Sequence, residues 1–266
     1  DVYKRQTYAF TLVKLPTPDP TMPAFQLQQE SHIWYVVPET IRSISNIEWC
    51  RSVLSEREHK RCKRLIFEKD RHRYLISHAL VRQSLSRYIN LEPPEWKFNT
   101  GERGKPEIAN PIDLPLRFNL THTQGLAACI VNLTTDCGID AELISHRHNP
   151  RRVARRMFSA EEQHDLHRLE GQAQMEYFFE RWTLREAYVK ALGVGISFPV
   201  RKLCFDVQTG SDIRIHFQPD IEDHPADWQF RLFRPTQQHI LSIALRNGSK
   251  PPRKIVINRI ESLRSE

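Results

Sequence analysis

Strand and helix patterns follow each other along this chain in an order that occurs twice. The first series is a strand, two helices and two strands, at 32–37, 55–67, 70–90, 117–120 and 126–131. After about residue 135 a strand, helices and strands follow again, at 137–143, from Pro150, from Ser159, at 174–192, and near 203–207, 213–217, 228–232 and 240–244. This order predicts an α+β fold of two similar halves, although the residues themselves do not repeat.

The boundaries of the chain's parts follow from the same order. We expect a first α+β half over 24–135, a second over 136–250 and a C-terminal tail over 251–266. Residues 1–23 are expected to be a poorly defined N-terminal segment, because prolines interrupt them and the first residue is Asp1 rather than methionine.

The charge of the chain predicts an anionic partner. Its 39 Lys and Arg against 32 Asp and Glu give a formal net charge of +7. Nucleic acid, a phosphorylated cofactor and an acidic protein all suit that charge. The five cysteines include no Cys-x-x-Cys pair, which argues against a zinc site and a disulfide framework and for a reducing compartment. Because the sequence has no membrane-length apolar run and no signal-peptide pattern, we expect a cytoplasmic protein.

Three acidic side chains are the strongest candidates for chemistry. Asp140 and Glu142 alternate with apolar residues, so they share one face of the predicted strand. Such alternation is also typical of a strand with one solvated face. Glu186 lies within the apolar stripe of the long helix, where a carboxylate is costly unless it is paired or metal-bound. Three converging carboxylates would suit a hard divalent cation, whereas an ion pair with Lys190 is the alternative for Glu186.

Other polar residues have structural explanations beside functional ones. Glu162 is the third residue after Ser159, so it either closes a capping box or acts as a general base. His122 lies in a strand connection and Lys105 in a turn, and each position alone is typical of a surface residue. The basic residues over 57–73 form either a solvated helix face or a phosphate site.

Five short segments match one known pattern in order and spacing. They are Gly-Lys-Pro at 104–106, Phe-Asn-Leu-Thr-His-Thr at 118–123, Gly-Ile-Asp-Ala-Glu at 138–142, Phe-Ser-Ala-Glu-Glu at 158–162 and Trp-Thr-Leu-Arg-Glu-Ala-Tyr-Val-Lys at 182–190. With the basic stretch from Arg61 to Arg73, the chain resembles the 4′-phosphopantetheinyl transferases of the Sfp type over roughly residues 30–245. Five ordered motifs are far more specific than any one of them.

The resemblance implies both an architecture and an activity. The fold would be a monomer of two α+β halves related by pseudo-twofold symmetry, with the active site in the cleft between them. The reaction would transfer the 4′-phosphopantetheine arm of coenzyme A to a serine of an apo acyl or peptidyl carrier protein. It would release 3′,5′-ADP and use Mg²⁺. The expected partners are therefore coenzyme A and the carrier protein, with neither nucleic acid nor a membrane.

The resemblance also implies a role for each matching residue. Asp140, Glu142 and Glu186 would hold Mg²⁺. Glu162 would be the catalytic base, and Lys190 would be catalytic through the phosphates of coenzyme A. The nucleotide end and its phosphates would be held by a set of cationic and polar residues: Arg61, Arg73, Lys105, Thr121, His122 and Lys190.

Two positions depart from the family pattern. Arg185 stands where lysine usually precedes the metal-binding glutamate, and the two cations are not interchangeable where a point charge is needed. Ala141 stands where a bulkier apolar residue is common, which should affect packing alone.

Two other functions suit parts of the sequence. A basic nucleic-acid-binding protein would use the arginine-rich helices at 57–73 and 147–156, but the three acids would repel a phosphate backbone without a metal. A catalytically weak relative that only binds carrier proteins would keep the same motifs. The transferase uses all of them.

Overall fold

Two series of helices and strands make up the computed structural model, which describes residues 24–101, 104–145, 149–208 and 213–264. The first series is β1 (Glu30–Val36), α1 (Ile44–Val53), α2 (Glu56–Lys63), α3 (Glu68–Leu85), β2 (Phe98–Thr100), β3 (Pro106–Ile108), β4 (Leu116–Thr123) and β5 (Leu126–Leu133). The second is β6 (Cys137–Leu143), α4 (Pro150–Met157), α5 (Ala160–His167), α6 (Gly171–Leu192), β7 (Leu203–Val207), β8 (Ile213–Phe217), β9 (Trp228–Phe233) and β10 (His239–Arg246). The predicted α+β fold of two similar halves is confirmed.

Each half contains an antiparallel sheet with the same strand order. In the first half β1, β5 and β4 lie side by side, and in the second half β6, β10 and β9 take the equivalent places. The two-stranded hairpins β2–β3 and β7–β8 are likewise equivalent. The likeness of the halves is therefore one of backbone topology, which explains why no repeat is visible in the residues.

The two sheets pack against each other through one face and carry a long helix on the other. The core between the sheets consists of alternate residues of β1, β5, β6 and β10, among them Ile33, Ile130, Ile139 and Ile243. On the outer face of the first sheet, Trp34 shares a core with Ile76 of α3. On the outer face of the second, Ala244 shares a core with Tyr188 of α6. The layers are therefore helix, sheet, sheet, helix.

The end of the chain differs from the tail expected over 251–266. Here β11 (Lys254–Arg259) pairs in parallel with β1 and extends the first sheet. Arg253 donates to the main-chain oxygens of Gln28 and Glu30, and Leu263 is buried in the core of the first half. The expected N-terminal segment 1–23 lies outside the described residues. No helix in the described part of the chain is long and apolar enough to span a membrane.

Candidate active site

Both halves contribute to a cleft of about 500 Å³. The β2–β3 turn and β4 line it from the first half, and α4, α6 and the loop after α6 line it from the second. Three residues that the sequence singled out, Lys105, Glu186 and Lys190, are among those that line it. Arg156 and Arg201, which were not singled out individually, add positive charge to its walls.

The acidic residues of β6 face helix α6 rather than open solvent. Alternate residues of β6, including Ile139, enter the core between the sheets, and this turns Gly138, Asp140 and Glu142 toward the helix. A Cβ atom at Gly138 would lie only 1.9 Å from the main-chain oxygen of Ala187, so only glycine allows this close approach. The solvated-face alternative fails for Asp140, which is buried.

Asp140 is held by the lysine of the long helix. Lys190 Nζ donates to Asp140 Oδ1 at 2.6 Å and to the main-chain oxygen of Ile139 at 3.1 Å. Thr121 Oγ1 lies 3.4 Å from the same carboxylate oxygen. The other oxygen, Oδ2, is buried and has no hydrogen-bond partner. Burial raises the pKa of Asp140, against the opposing effect of the Lys190 charge.

The other two acids share this electrostatic environment. Burial and the Asp140 charge together raise the pKa of Glu142 to about 7, although Lys190 opposes the shift and Thr123 Oγ1 approaches the carboxylate at 3.4 Å. Burial and Asp140 also raise the pKa of Glu186, again against Lys190. The Asp140 charge therefore makes ionisation of Glu142 and Glu186 less favourable, which a bound cation would relieve.

The three carboxylates are neighbours, but they do not converge on one common position. Among the described residues, no group of three or more Asp, Glu, His or Cys side chains is close enough to hold a metal ion as placed. The ammonium of Lys190 is the cation that contacts Asp140. The carboxylates still suit a hard divalent cation in chemistry, since Asp140 Oδ2 is a buried anionic ligand that lacks a partner.

Side chains of β4, at the edge of the first sheet, form hydrogen bonds to the backbone of β6, at the edge of the second. These bonds take the place of backbone-to-backbone pairing between the two strands. Asn119 Oδ1 accepts a hydrogen bond from the Ile139 amide at 3.0 Å, and Thr121 Oγ1 accepts one from the Ala141 amide at 3.1 Å. These bonds fix the β6 backbone on both sides of Asp140. Asn119 also lines the cleft. It was not among the predicted site residues, although it lies within the 118–123 motif.

Lys105 and Lys190 donate hydrogen bonds to main-chain carbonyl groups of β6. Lys105 Nζ donates to the main-chain oxygens of Cys137 at 3.4 Å and of Ala191 at 3.0 Å. Lys190 makes the equivalent contact to Ile139. Lys105 thus reaches from the first half to the end of α6, which stops at Gly193 with a left-handed φ of 68°. Both lysines belong to the join between the halves and to the cleft.

The remaining residues predicted for nucleotide binding lie around the start of α3 and the end of β4. His122 is an exposed residue near the end of β4, and partial desolvation together with the positive charge of Arg73 lowers its pKa to about 4. Arg73 is bonded to Asp70 at 2.6 Å, and Arg61 is exposed in the last turn of α2. Arg61, Arg73 and His122 are not among the described residues that line the cleft.

Glu162 lies in the core and not in the cleft. Its Oε1 accepts from the Phe205 amide and its Oε2 from the Ser159 amide, both at 3.0 Å, and Oε2 also pairs with Arg185. Ser159 Oγ accepts from the Glu162 amide and completes a capping box. Both carboxylate oxygens are therefore engaged. The structure shows the capping role that the sequence left open, and this geometry gives no support to the general-base role that the resemblance implied.

Arg185, the departure from the family pattern, is the buried partner of that carboxylate. Its guanidinium donates to the main-chain oxygens of Met157 and Leu203 at 2.9 and 2.8 Å. It lies 4.5 Å from the Phe158 ring centre and 5.3 Å from that of Phe205. A planar group with five donors suits these partners, whereas an ammonium would leave some of them unbonded. Arg185 therefore ties α4, α6 and β7 together and does not face a ligand.

Comparison with known proteins gives a consistent result for both halves. A family model described as the 4′-phosphopantetheinyl transferase superfamily matches residues 136–244, and one described as 4′-phosphopantetheinyl transferase, N-terminal, matches 43–133. The chain is 34% identical over 172 residues to the 4′-phosphopantetheinyl transferase HetI of Nostoc sp., covering 64% of this chain and 72% of that protein. It is 32% identical over 171 residues to the 4′-phosphopantetheinyl transferase Sfp of Bacillus subtilis, covering 64% and 73%. A further 4′-phosphopantetheinyl transferase of Bacillus subtilis is 28% identical over 187 residues, covering 68% and 81%.

Proposed function

The chain belongs to the 4′-phosphopantetheinyl transferase superfamily, and we propose that it transfers the 4′-phosphopantetheine arm of coenzyme A to a serine of an apo acyl or peptidyl carrier protein. The observation that carries the proposal is that Lys190, which binds Asp140, and the neighbouring acids Glu142 and Glu186 lie at or beside a cleft that both halves line. Carboxylates for a cation and ammonium groups for phosphate are what this reaction requires.

The reaction exchanges the phosphoanhydride bond of coenzyme A for a phosphodiester bond to the carrier serine. The serine oxygen of the carrier bonds to the phosphorus next to the pantetheine arm, and the bond from that phosphorus to the bridging oxygen breaks. The serine proton passes to a water molecule, and 3′,5′-ADP leaves with the electron pair. Negative charge grows on the phosphoryl and leaving oxygens. Lys190 and Lys105, which line the cleft, would stabilise that charge.

Asp140, Glu142 and Glu186 are the residues that would hold Mg²⁺. A bound cation would supply positive charge to the phosphate oxygens, and magnesium keeps water ligands beside a few carboxylates. The unpartnered Oδ2 of Asp140 and the raised pKa values of all three acids support this assignment. Lys190 would then be shared between Asp140 and the phosphates.

The nucleotide end of coenzyme A is assigned to the residues around β4 and the two basic helices. Arg61, Arg73 and Lys105 would bind its phosphates, and Thr121 and His122 would position it. Thr121 is supported by its fixed place beside Asp140 and Lys190. We further propose that the protein is a monomer of the cytoplasm, where five free cysteines would stay reduced.

Mass spectrometry tests the activity directly. The protein is incubated with coenzyme A, Mg²⁺ and a panel of apo acyl and peptidyl carrier proteins. At least one carrier should gain the mass of the 4′-phosphopantetheine arm on its serine. Folded protein that modifies no carrier in a broad panel would refute the transferase activity, and carrier binding without modification would identify a catalytically weak relative.

A further inference from the structure

Two large apolar side chains project into solvent from the connection between α2 and α3. Ile66 is 83% exposed and Phe67 is 61% exposed. Among the described residues, Phe25 and Ile44 are the other large hydrophobic side chains exposed to this degree. Adjacent exposed apolar residues are unusual on a soluble protein unless they serve an interaction.

The backbone of this connection is held in place. Arg71 donates to the main-chain oxygens of Leu65 and Ile66, each at 2.8 Å, and Cys62 Sγ contacts the main-chain oxygen of Arg71 at 3.5 Å. Leu65 packs against the core of the first half, and Phe67 is the N-cap residue that directly precedes α3. The two side chains are therefore presented from an ordered backbone, which lowers the entropy lost when a partner binds.

Positive charge surrounds the two apolar side chains. We define the basic apolar patch as Lys63, Arg64, Ile66, Phe67 and Lys69, all of which are exposed. The Lys69 ammonium lies 5.8 Å from the centre of the Phe67 ring. Glu68 brings one negative charge into the same stretch. A partner that matches the patch would offer an apolar recess with an acidic rim.

The basic apolar patch lies beside the residues assigned to coenzyme A. Arg61 precedes it on α2, and Arg73 follows it on α3, about 9 Å from Phe67 at the helical rise per residue. Helix α3 packs against β4, the strand that carries Thr121 and His122, so this helix lies beside the residues assigned to coenzyme A. A protein bound to the patch would therefore stand near the residues assigned to the nucleotide end of coenzyme A.

We propose that the basic apolar patch is a docking surface for the carrier protein, with Ile66 and Phe67 entering an apolar recess on an acidic face of that partner. The inference rests on the proposed transferase function. Charge complementarity and the paired apolar side chains favour an acidic protein over nucleic acid, because a phosphate backbone offers no recess for them.

A matched pair of variants tests the docking surface. Ile66→Ser/Phe67→Ser removes the two side chains from the patch, and Phe25→Ser/Ile44→Ser removes the same two residue types elsewhere in the first half. Transfer is measured against carrier concentration at saturating coenzyme A, and against coenzyme A at saturating carrier. The patch variant should raise the KM for the carrier at least about tenfold, leaving kcat and the KM for coenzyme A near wild type. The control variant should match wild type.

Three results would overturn the docking surface. The first is an unchanged KM for the carrier, or an equal rise in the control variant. The second is a rise confined to coenzyme A, which would make the patch part of the nucleotide site. The third is a change of oligomeric state: light scattering shows that the wild type is a dimer and the patch variant a monomer, while the KM of the variant for the carrier is unchanged. That result would make the patch a contact between two copies of the chain. Wild-type protein that modifies no carrier refutes instead the proposed function.

Discussion

Asp140 has one carboxylate oxygen bound by Lys190 and one buried oxygen without a partner. An unsatisfied buried acceptor costs free energy, so a buried carboxylate oxygen without a partner calls for an explanation such as a bound ligand. The adjacent bonds from Asn119 and Thr121 to the β6 backbone keep the strand fixed on either side of it. The bonds on both sides of Asp140 therefore fix its position, as the proposed cation site requires.

Asp140→Asn keeps the shape of the side chain and removes its charge. We expect turnover to fall at least about 100-fold, because the charge that would hold the cation is lost. The fold should survive, since the amide oxygen can still accept from Lys190. Carrier modification rates and circular dichroism measure both effects. Asp113→Asn, at an exposed acid, is the control. A folded Asp140→Asn protein with wild-type turnover would exclude Asp140 as a metal ligand.

Glu162 and Arg185 support the fold from within the core. Because both oxygens of Glu162 are engaged, Glu162→Gln should lower the free energy of unfolding by about 2–4 kcal/mol. The turnover of the folded fraction should stay within a few-fold of wild type. Urea unfolding and rates per folded molecule separate the two effects. A stable Glu162→Gln protein that has lost turnover would restore the general-base role.

Arg185→Lys places the family's usual residue in this chain. It should lower the free energy of unfolding by about 2 kcal/mol, because an ammonium cannot replace all the bonds that the guanidinium makes. The rate per folded molecule should change little, since Arg185 is buried away from the cleft. The same urea unfolding series measures the change. Unchanged stability with an altered carrier KM would instead place Arg185 at a ligand.

At the scale of elements, the contact between β6 and α6 builds the site. Gly138→Ala would place a methyl group 1.9 Å from the Ala187 oxygen and 2.5 Å from the Ala191 nitrogen. Since both are backbone atoms of α6, the helix must move away from the strand. We expect a lower Tm and a loss of turnover larger than the unfolded fraction explains, because Lys190 and Glu186 move with the helix. Unchanged Tm and turnover would contradict the close packing.

Glu58 connects α2 to α3 and gives the first half an acid sensitivity. Burial alone would raise its pKa, but bonds from His78 and Ser55 and the charge of Arg82 outweigh that effect and lower the pKa to about 2. A depressed carboxyl pKa stabilises the fold above the unfolded value near 4.5, and that stability is lost as the pH falls toward 2.

Glu58→Gln should therefore be less stable than wild type at pH 7, by up to about 3 kcal/mol. The difference should shrink between pH 4.5 and pH 2, where wild-type Glu58 itself takes up a proton. Urea unfolding at a series of pH values measures this. A difference that stays constant across the range would contradict the assigned ion pair.

Local signals in the sequence predicted the elements that depend on local chemistry. The capping boxes at Ser55 and Ser159 and the helix end at Gly193 are all present in the structure. Helix α1 was missed because it buries only two residues, Cys50 and Val53, and shows little apolar periodicity. Strand β11 was missed because a short parallel strand is defined by its partner, here β1, and not by alternation.

At the scale of the whole molecule, the sequence did not predict which side chains connect the two halves. That Asp140, Glu142 and Glu186 lie near one another was anticipated from their faces on one strand and one helix. That Lys190 holds Asp140 while Lys105 and Asn119 bridge the two sheets depends on strands far apart in sequence. The residues of the cleft thus also bind the halves together, which couples the site to the assembly of the fold.

The most direct test of the whole account is the metal dependence of carrier modification. An apo carrier protein is incubated with the enzyme and coenzyme A, with Mg²⁺ or after chelation of divalent cations, and its mass is followed over time. We expect the 4′-phosphopantetheine arm to be added to the carrier serine in the presence of Mg²⁺ and the reaction to stop on chelation. A carrier that stays unmodified with Mg²⁺, or is modified equally fast after chelation, would contradict a transferase whose three acids hold the cation.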